Sequence, residues 1–184
     1  MLGAVLVTTL LVPAADVPAT AAILMPLQPT ALTLTPIERC TIEEALIAAI
    51  HKAGRTDVVA ARHLVESVRA GSMTREEAGK RMRAPRMITV HLGAVAKQSG
   101  AAWTVGLTEM SIRDAKTTAR VYAVVRPRLA ELVHQAPRLG AALAAGGKGG
   151  ALDLKSEAAA PAGVSATFEA RCKGTTEASF VMPK

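Results

Sequence analysis

The stretch Thr74–Gly93, TREEAGKRMRAPRMITVHLG, carries two periodicities with a break between them. Thr74 and Glu77 stand at the spacing of a capping box, in which a hydroxyl and a carboxylate satisfy the free amides that open a helix. That helix cannot run far past Arg83, because Pro85 disfavours helical geometry at Ala84. Beyond the break, Ile88, Val90 and Leu92 alternate with Thr89, His91 and Gly93, the period of a half-buried strand. A DNA-reading helix-turn-helix would instead need Arg86 to Lys97 as a recognition helix, with Arg86 at its groove-facing start. Gly93 would weaken such a helix by about 1 kcal/mol relative to Ala, and Arg83-Ala84-Pro85 is poor material for the tight turn. The β-branched alternation also opposes it. The stretch therefore reads as a capped helix to Arg83 and a strand from Met87.

Downstream, Trp103, Val105 and Leu107 alternate with Thr104, Gly106 and Thr108, and Lys97-Gln98-Ser99-Gly100 supplies a loop. The two alternating runs form a β-hairpin. Upstream, Thr41 and Glu44 have capping-box spacing, and Ile42, Leu46, Ala49, Ile50 and Ala53 repeat at helical intervals up to Gly54. A second helix, 57–70, carries Val58, Ala61, Val65 and Val68 on one face and stops at Gly71. Three helices followed by a hairpin have the order of a winged helix, with the third helix near the groove.

Further along, Ser111 and Asp114 open a longer helix with Ile112, Ala115, Ala119 and Tyr122 on one face; Pro127 breaks it, and a second piece reaches Gln135. The Ala- and Gly-rich segment 137–163 reads as a loop or linker with room for a short helix. Val164, Ala166, Phe168, Ala170 and Cys172 alternate strictly with polar residues, as do Ala178, Phe180 and Met182, which predicts a second hairpin over 164–184. Five prolines between Pro13 and Pro36 make 13–36 an extended linker, with a short strand at Ala31–Thr35. The fold class is α+β: three short helices and one longer Pro-broken helix, with two hairpins sharing an antiparallel sheet. The segments are an apolar Pro-rich arm (1–37), a basic helical domain with a central hairpin (38–136), the linker (137–163) and the C-terminal hairpin (164–184).

Half of the 184 residues are hydrophobic, yet there are only one Trp, one Tyr and two Phe. Such a core is built from aliphatic side chains, and the scarcity of aromatics argues against folds that stack bases on aromatic platforms. The net charge of +7 is concentrated in the middle of the chain. Between Arg69 and Lys97, seven basic residues face only Glu76 and Glu77. Phosphate contacts require such an excess and give salt-dependent affinity. The residues that would carry them are Arg75, Lys80, Arg81, Arg83, Arg86 and Lys97, and the partner would be an anionic one, DNA or RNA first.

Catalytic and metal motifs fail on inspection. Ala144–Gly150, AAGGKGG, lacks the first glycine of a phosphate loop, and Gly149 follows Lys148 where Ser or Thr is needed. His63 and Glu66 have the H-x-x-E spacing, but Ser67 follows where the inverted zinc-protease motif needs His. His51, His91 and His134 are isolated, and two cysteines without a neighbouring His make no zinc site. No cofactor is expected. The leading reading is a non-enzymatic binding protein.

The alternative is an exported or envelope-associated structural or interaction protein. Leu2 to Val12 is an apolar run of signal-peptide length, followed by small-residue sites at Val12-Pro13-Ala14, Val17-Pro18-Ala19 and Ala19-Thr20-Ala21. No Lys or Arg precedes the run, which weighs toward the cytoplasm. The apolar arm is equally a surface for a protein partner. Cys40 and Cys172 would pair as one disulfide after export and would be small apolar residues in a reducing compartment.

Overall fold

A computed structural model describes residues 20–27, 32–97, 100–152 and 159–173. The apolar run 2–12 and the strand expected around 178–182 lie outside the described residues. The chain is α+β, built on one six-stranded sheet. The strands are β1 (Ala22–Leu24), β2 (Val58–Ala60), β3 (Arg86–Lys97), β4 (Gly100–Ser111), β5 (Thr117–Val125) and β6 (Lys148–Leu152). The helices are α1 (Pro36–Lys52), α2 (Ala61–Arg69), α3 (Arg75–Met82), α4 (Leu129–Ala144) and α5 (Ala166–Cys172). Across the sheet the order is β2-β1-β3-β4-β5-β6. The three long strands β3, β4 and β5 form an antiparallel meander, while β1 runs parallel to both β2 and β3, and β6 parallel to β5. The sheet is therefore mixed, not antiparallel as expected.

The opening stretch folds as read. Thr74 caps α3 by accepting a hydrogen bond from the Glu77 amide at 3.1 Å, and β3 starts at Arg86 just past Pro85. Only half of the capping box forms, because the Glu77 carboxylate turns to Arg81 at 3.1 Å. The hairpin β3–β4 pairs Val90 with Leu107 and Gly93 with Thr104.

Elsewhere the elements differ from expectation, each for a physical reason. The first helix starts at Pro36, with a full capping box between Thr35 and Glu38. Thr41 and Glu44 lie inside it; the earlier box prevails because proline at the first helical position is pre-organised for the helix. The expected helix 57–70 is split, since Val58–Ala60 pairs with β1 as a strand before α2 begins. The region 111–126 is a turn followed by β5, not a helix. Ala119, Val121, Ala123 and Val125 are buried while Arg120 and Tyr122 are exposed, and the β-branched residues around them favour the strand. The C-terminal alternation folds as α5, not as a hairpin strand. Val164, Phe168 and Cys172 also fall four apart, and they turn inward while Ala166 and Ala170 stay exposed. The strand of the N-terminal region is Ala22–Leu24, and the described part of the expected strand, 32–35, is not one; Ala22–Leu24 is buried throughout and so shows no alternation.

The supposed linker begins inside a helix. α4 runs through Pro137 to Ala144, and burial of Leu132, Val133, Ala136, Leu139 and Leu143 offsets the roughly 3 kcal/mol that an internal proline costs. The main core lies between one face of the sheet and α1 and α4, with Phe168 of α5 packed against it. A smaller cluster joins Ile23 to Leu64 of α2 and Ala78 of α3 on the opposite face. The three N-terminal helices thus divide between the two faces of the sheet and do not form the single bundle of a winged helix.

α1 and α4 cross in close contact at Gly140. A Cβ there would lie 2.7 Å from the Ala49 carbonyl carbon and 2.9 Å from the Ile50 nitrogen, and backbone cannot rotate away. Gly140→Ala is therefore expected to destabilise the protein by about 1–3 kcal/mol. A urea midpoint unchanged from wild type would show that the two helices part freely.

Candidate functional site

The basic cluster is where the sequence points first. Arg75 and Arg83 are exposed near the two ends of α3, and Lys80 is exposed on it. Lys80 pairs with Glu76 at 2.8 Å and Arg81 with Glu77 at 3.1 Å, both one helical turn apart. The Lys80–Glu76 hydrogen bond raises the lysine pKa and lowers that of the carboxylate. Arg86 is half-buried and turned to Glu109 at 3.2 Å, with Asp57 at 4.0 Å. Lys97 ends β3, and its side chain lies outside the described set. The six residues are therefore not one uniform cationic face. Lys80 and Arg81 spend charge on local carboxylates, Arg75 and Arg83 are exposed, and Arg86 belongs to a network.

That network was not visible in the sequence. Glu109 is 3% exposed and accepts from Arg55 at 3.1 Å as well as from Arg86; Arg55 also holds Asp57 at 3.0 Å. Burial alone would raise the Asp57 pKa, but the hydrogen bond and charge of Arg55 outweigh it and the value falls. Burial likewise opposes the charge on Arg55, and its bonds to Glu109 and Asp57 reverse that and raise it. A second cluster fixes α1 against α2. Arg62 clamps the buried Glu43 through two nitrogens at 2.8 and 2.7 Å, and the other Glu43 oxygen accepts from the Leu27 amide at 2.7 Å. Next to it, His63 binds Glu44. These groups hold the fold, since every charge in them has a partner inside the molecule.

The His63–Glu44 pair makes stability depend on pH. The hydrogen bond that Glu44 accepts raises the His63 pKa above 6.5, and the same bond lowers Glu44 below 4.5. The histidine contribution is complete below pH 6.5 and is lost as pH rises through its elevated value; the glutamate contribution is complete above pH 4.5 and is lost as pH falls. The stability advantage of wild type over His63→Gln is thus expected to peak between these limits, at up to about 1 kcal/mol for a partly exposed pair, and to shrink toward pH 8. Parallel melts of the two proteins across pH check it; a constant difference would remove the pair from the account.

Cys40 in α1 and Cys172 in α5 are joined by a disulfide, with Cα atoms 5.8 Å apart and 132 residues between them in sequence. Both are buried, at 3% and 0% exposure.

The remaining feature is the outer face of the meander. α2 and α3 cover only its β1–β2 side, which leaves a depression of about 430 Å³ over β3, β4 and β5. Gly93 and Gly106 form its floor, and His91, Thr104, Thr108, Arg120 and Tyr122 surround it. Gly106 is paired with His91 on one side and Tyr122 on the other. A Cβ at Gly106 would meet nothing closer than 3.5 Å, so packing does not demand glycine there. Glycine in a strand interior is less stable than alanine by roughly 0.5–1 kcal/mol. Gly106→Ala is expected to raise stability by about that amount, read as a higher denaturant midpoint; a loss of stability would show an unseen steric need. At Gly93 a Cβ would fall 2.9 Å from the Thr104 hydroxyl oxygen, so that residue gives the threonine its room.

Among the described residues no group of three or more His, Cys, Asp or Glu could hold a metal ion, and no helix is long and apolar enough to cross a membrane. No family model matches the sequence, and no curated protein matches it. Two solved structures are partly similar. One is the LpoB C-terminal domain from Salmonella enterica, 17% identical over 61% of this chain and 87% of that chain, with a TM-score of 0.38. The other is a PelC dodecamer from Paraburkholderia phytofirmans, 13% identical over 71% of this chain and 91% of that chain, also at 0.38. At such scores the likeness carries no argument about what this chain does.

Proposed function

We propose that the chain is an exported or envelope-associated interaction domain that binds a partner without catalysing a reaction. The Cys40–Cys172 disulfide carries this reading, because such bonds persist in oxidising compartments and are rare where thiols are kept reduced. It uses both cysteines of the chain and leaves no free thiol. The apolar run Leu2–Val12 and the small-residue sites after it add to the case. The test fuses residues 1–30 to an alkaline phosphatase lacking its own leader, an enzyme active only after export. Strong phosphatase activity is expected, together with full-length protein that resists maleimide labelling until reduced. An inactive fusion and a freely labelled protein would overturn the reading.

A second reading keeps nucleic acid as the partner, through Arg75 and Arg83 with Lys80, Arg81 and Lys97. It is supported by the exposure of the two arginines and by the net charge. Titration of duplex DNA and of RNA over a salt series tests it. Affinity falling steeply with salt supports it; undetectable binding at low ionic strength rejects it.

A further inference from the structure

We propose that the open face of β3–β5 is a binding slot for a small planar molecule bearing a carboxylate or phosphate group. This goes beyond the compartment reading and does not depend on it.

The slot is made by one rung of the sheet. His91, Gly106 and Tyr122 are paired neighbours on three adjacent strands, so two rings flank a position that has no side chain. Two strand spacings separate their backbones, roughly 10 Å. That width admits one flat ring between the imidazole and the phenol over the bare backbone of Gly106. The Thr89 hydroxyl contacts the His91 ring nitrogen at 2.9 Å and steadies that wall.

The next rung supplies the anion site. Thr108 pairs with Arg120 there, one step along from the aromatic rung. Arg120 is exposed and carries no ion pair among the described residues, in contrast to Arg55, Arg62, Arg81 and Arg86. Thr108 is only 7% exposed, lines the depression, and its hydroxyl makes no hydrogen bond among the described residues. No carboxylate stands among the outward-facing residues of these three strands. A guanidinium and a sheltered hydroxyl on a carboxylate-free face complement an anion, and a planar fork is matched to carboxylate and phosphate oxygens. The chain has a single Tyr, which is 40% exposed at this slot rather than in the core. Together with a glycine that packing does not require, that placement favours recognition over stability.

The test follows backbone amide shifts of the intact, disulfide-bonded protein on addition of benzoate, phenyl phosphate, benzyl alcohol or inorganic phosphate. Benzoate or phenyl phosphate is expected to shift Gly93, Gly106 and Tyr122, and the stronger of the two identifies the anionic group. Benzyl alcohol, lacking charge, is expected to bind about tenfold more weakly or worse. Arg120→Gln and Gly106→Val should each weaken the shifts by about tenfold or more. Gly106→Val fills the slot with a side chain that has space, and Arg120→Gln alters an exposed residue, so a folded spectrum is expected for both. The proposal is overturned by the absence of shifts at those residues up to roughly 10 mM ligand. It is overturned equally by shifts that survive both substitutions, or by inorganic phosphate binding as well as phenyl phosphate.

Discussion

Replacing Cys40 and Cys172 together by alanine is expected to lower the melting temperature by roughly 10–15 °C under non-reducing conditions. The bond closes a loop of 132 residues, so it removes a large part of the freedom of the unfolded chain. On the chain-entropy account a loop of that length is worth about 5 kcal/mol, and native disulfides typically deliver about 2–5. Alanine suits both positions because each is buried, where serine would bring a hydroxyl that has to be desolvated. Much of the loss should concentrate at α5. That helix has only seven residues, too few to persist alone, and its contacts run to α1. Calorimetry of wild type and the double variant measures the shift; amide exchange at 166–172 locates it. A shift below about 3 °C would mean that Phe168 and Val164 anchor the segment without the bond.

Glu109→Ala is the second large effect. It leaves the Arg55 and Arg86 guanidiniums partly buried, with Asp57 as their remaining carboxylate. Breaking a buried ion pair by deleting one partner typically costs about 3–5 kcal/mol, mainly because the orphaned charge stays desolvated. Glu109→Gln keeps one acceptor oxygen, the position that Arg55 and Arg86 share, and should lose distinctly less. Equilibrium unfolding in urea ranks the three proteins; equal losses for Ala and Gln would show that the carboxylate charge, and not its hydrogen-bond acceptors, carries the effect. The same network explains why Arg86 is a poor candidate for a phosphate contact. Its charge is already spent on Glu109 of β4 and on Asp57 just before β2.

The opening stretch shows how much local chemistry can declare. Thr74 before a polar helix, Pro85 as a stop and alternation from Ile88 onward are all near-neighbour effects, and α3 and β3 follow them closely. The α+β class and the β3–β4 hairpin were legible for the same reason. β5 and α5 were not. In TTARVYAVV, Ala119 and Tyr122 satisfy a helical spacing as well as their strand alternation. In VSATFEARC the spacing of Val164, Phe168 and Cys172 suits a helix face, while every second residue also looks apolar. Small residues such as Ala belong to either pattern, and the choice falls to whichever surface is at hand. β5 found the free edge of β4, and α5 found α1 with a cysteine waiting. Three-residue strands such as β1 and β2 leave no periodicity to read at all.

The candidate site divides along the same line. The residues of the basic cluster could be counted from the sequence, but the partner of Arg86 could not, since Glu109 is 23 positions from Arg86 and 54 from Arg55. His91, Gly106, Arg120 and Tyr122 come from three separate strands, one of them read as a helix. By itself the sequence determined composition, charge, the capped helix at Thr74, the break at Pro85 and the hairpin beyond it, because each depends on neighbours a few residues away. Only the tertiary structure decided which cysteines, which carboxylates and which faces meet. Those outcomes depend on strand order and on which side of the sheet each helix packs, and no local pattern encodes either.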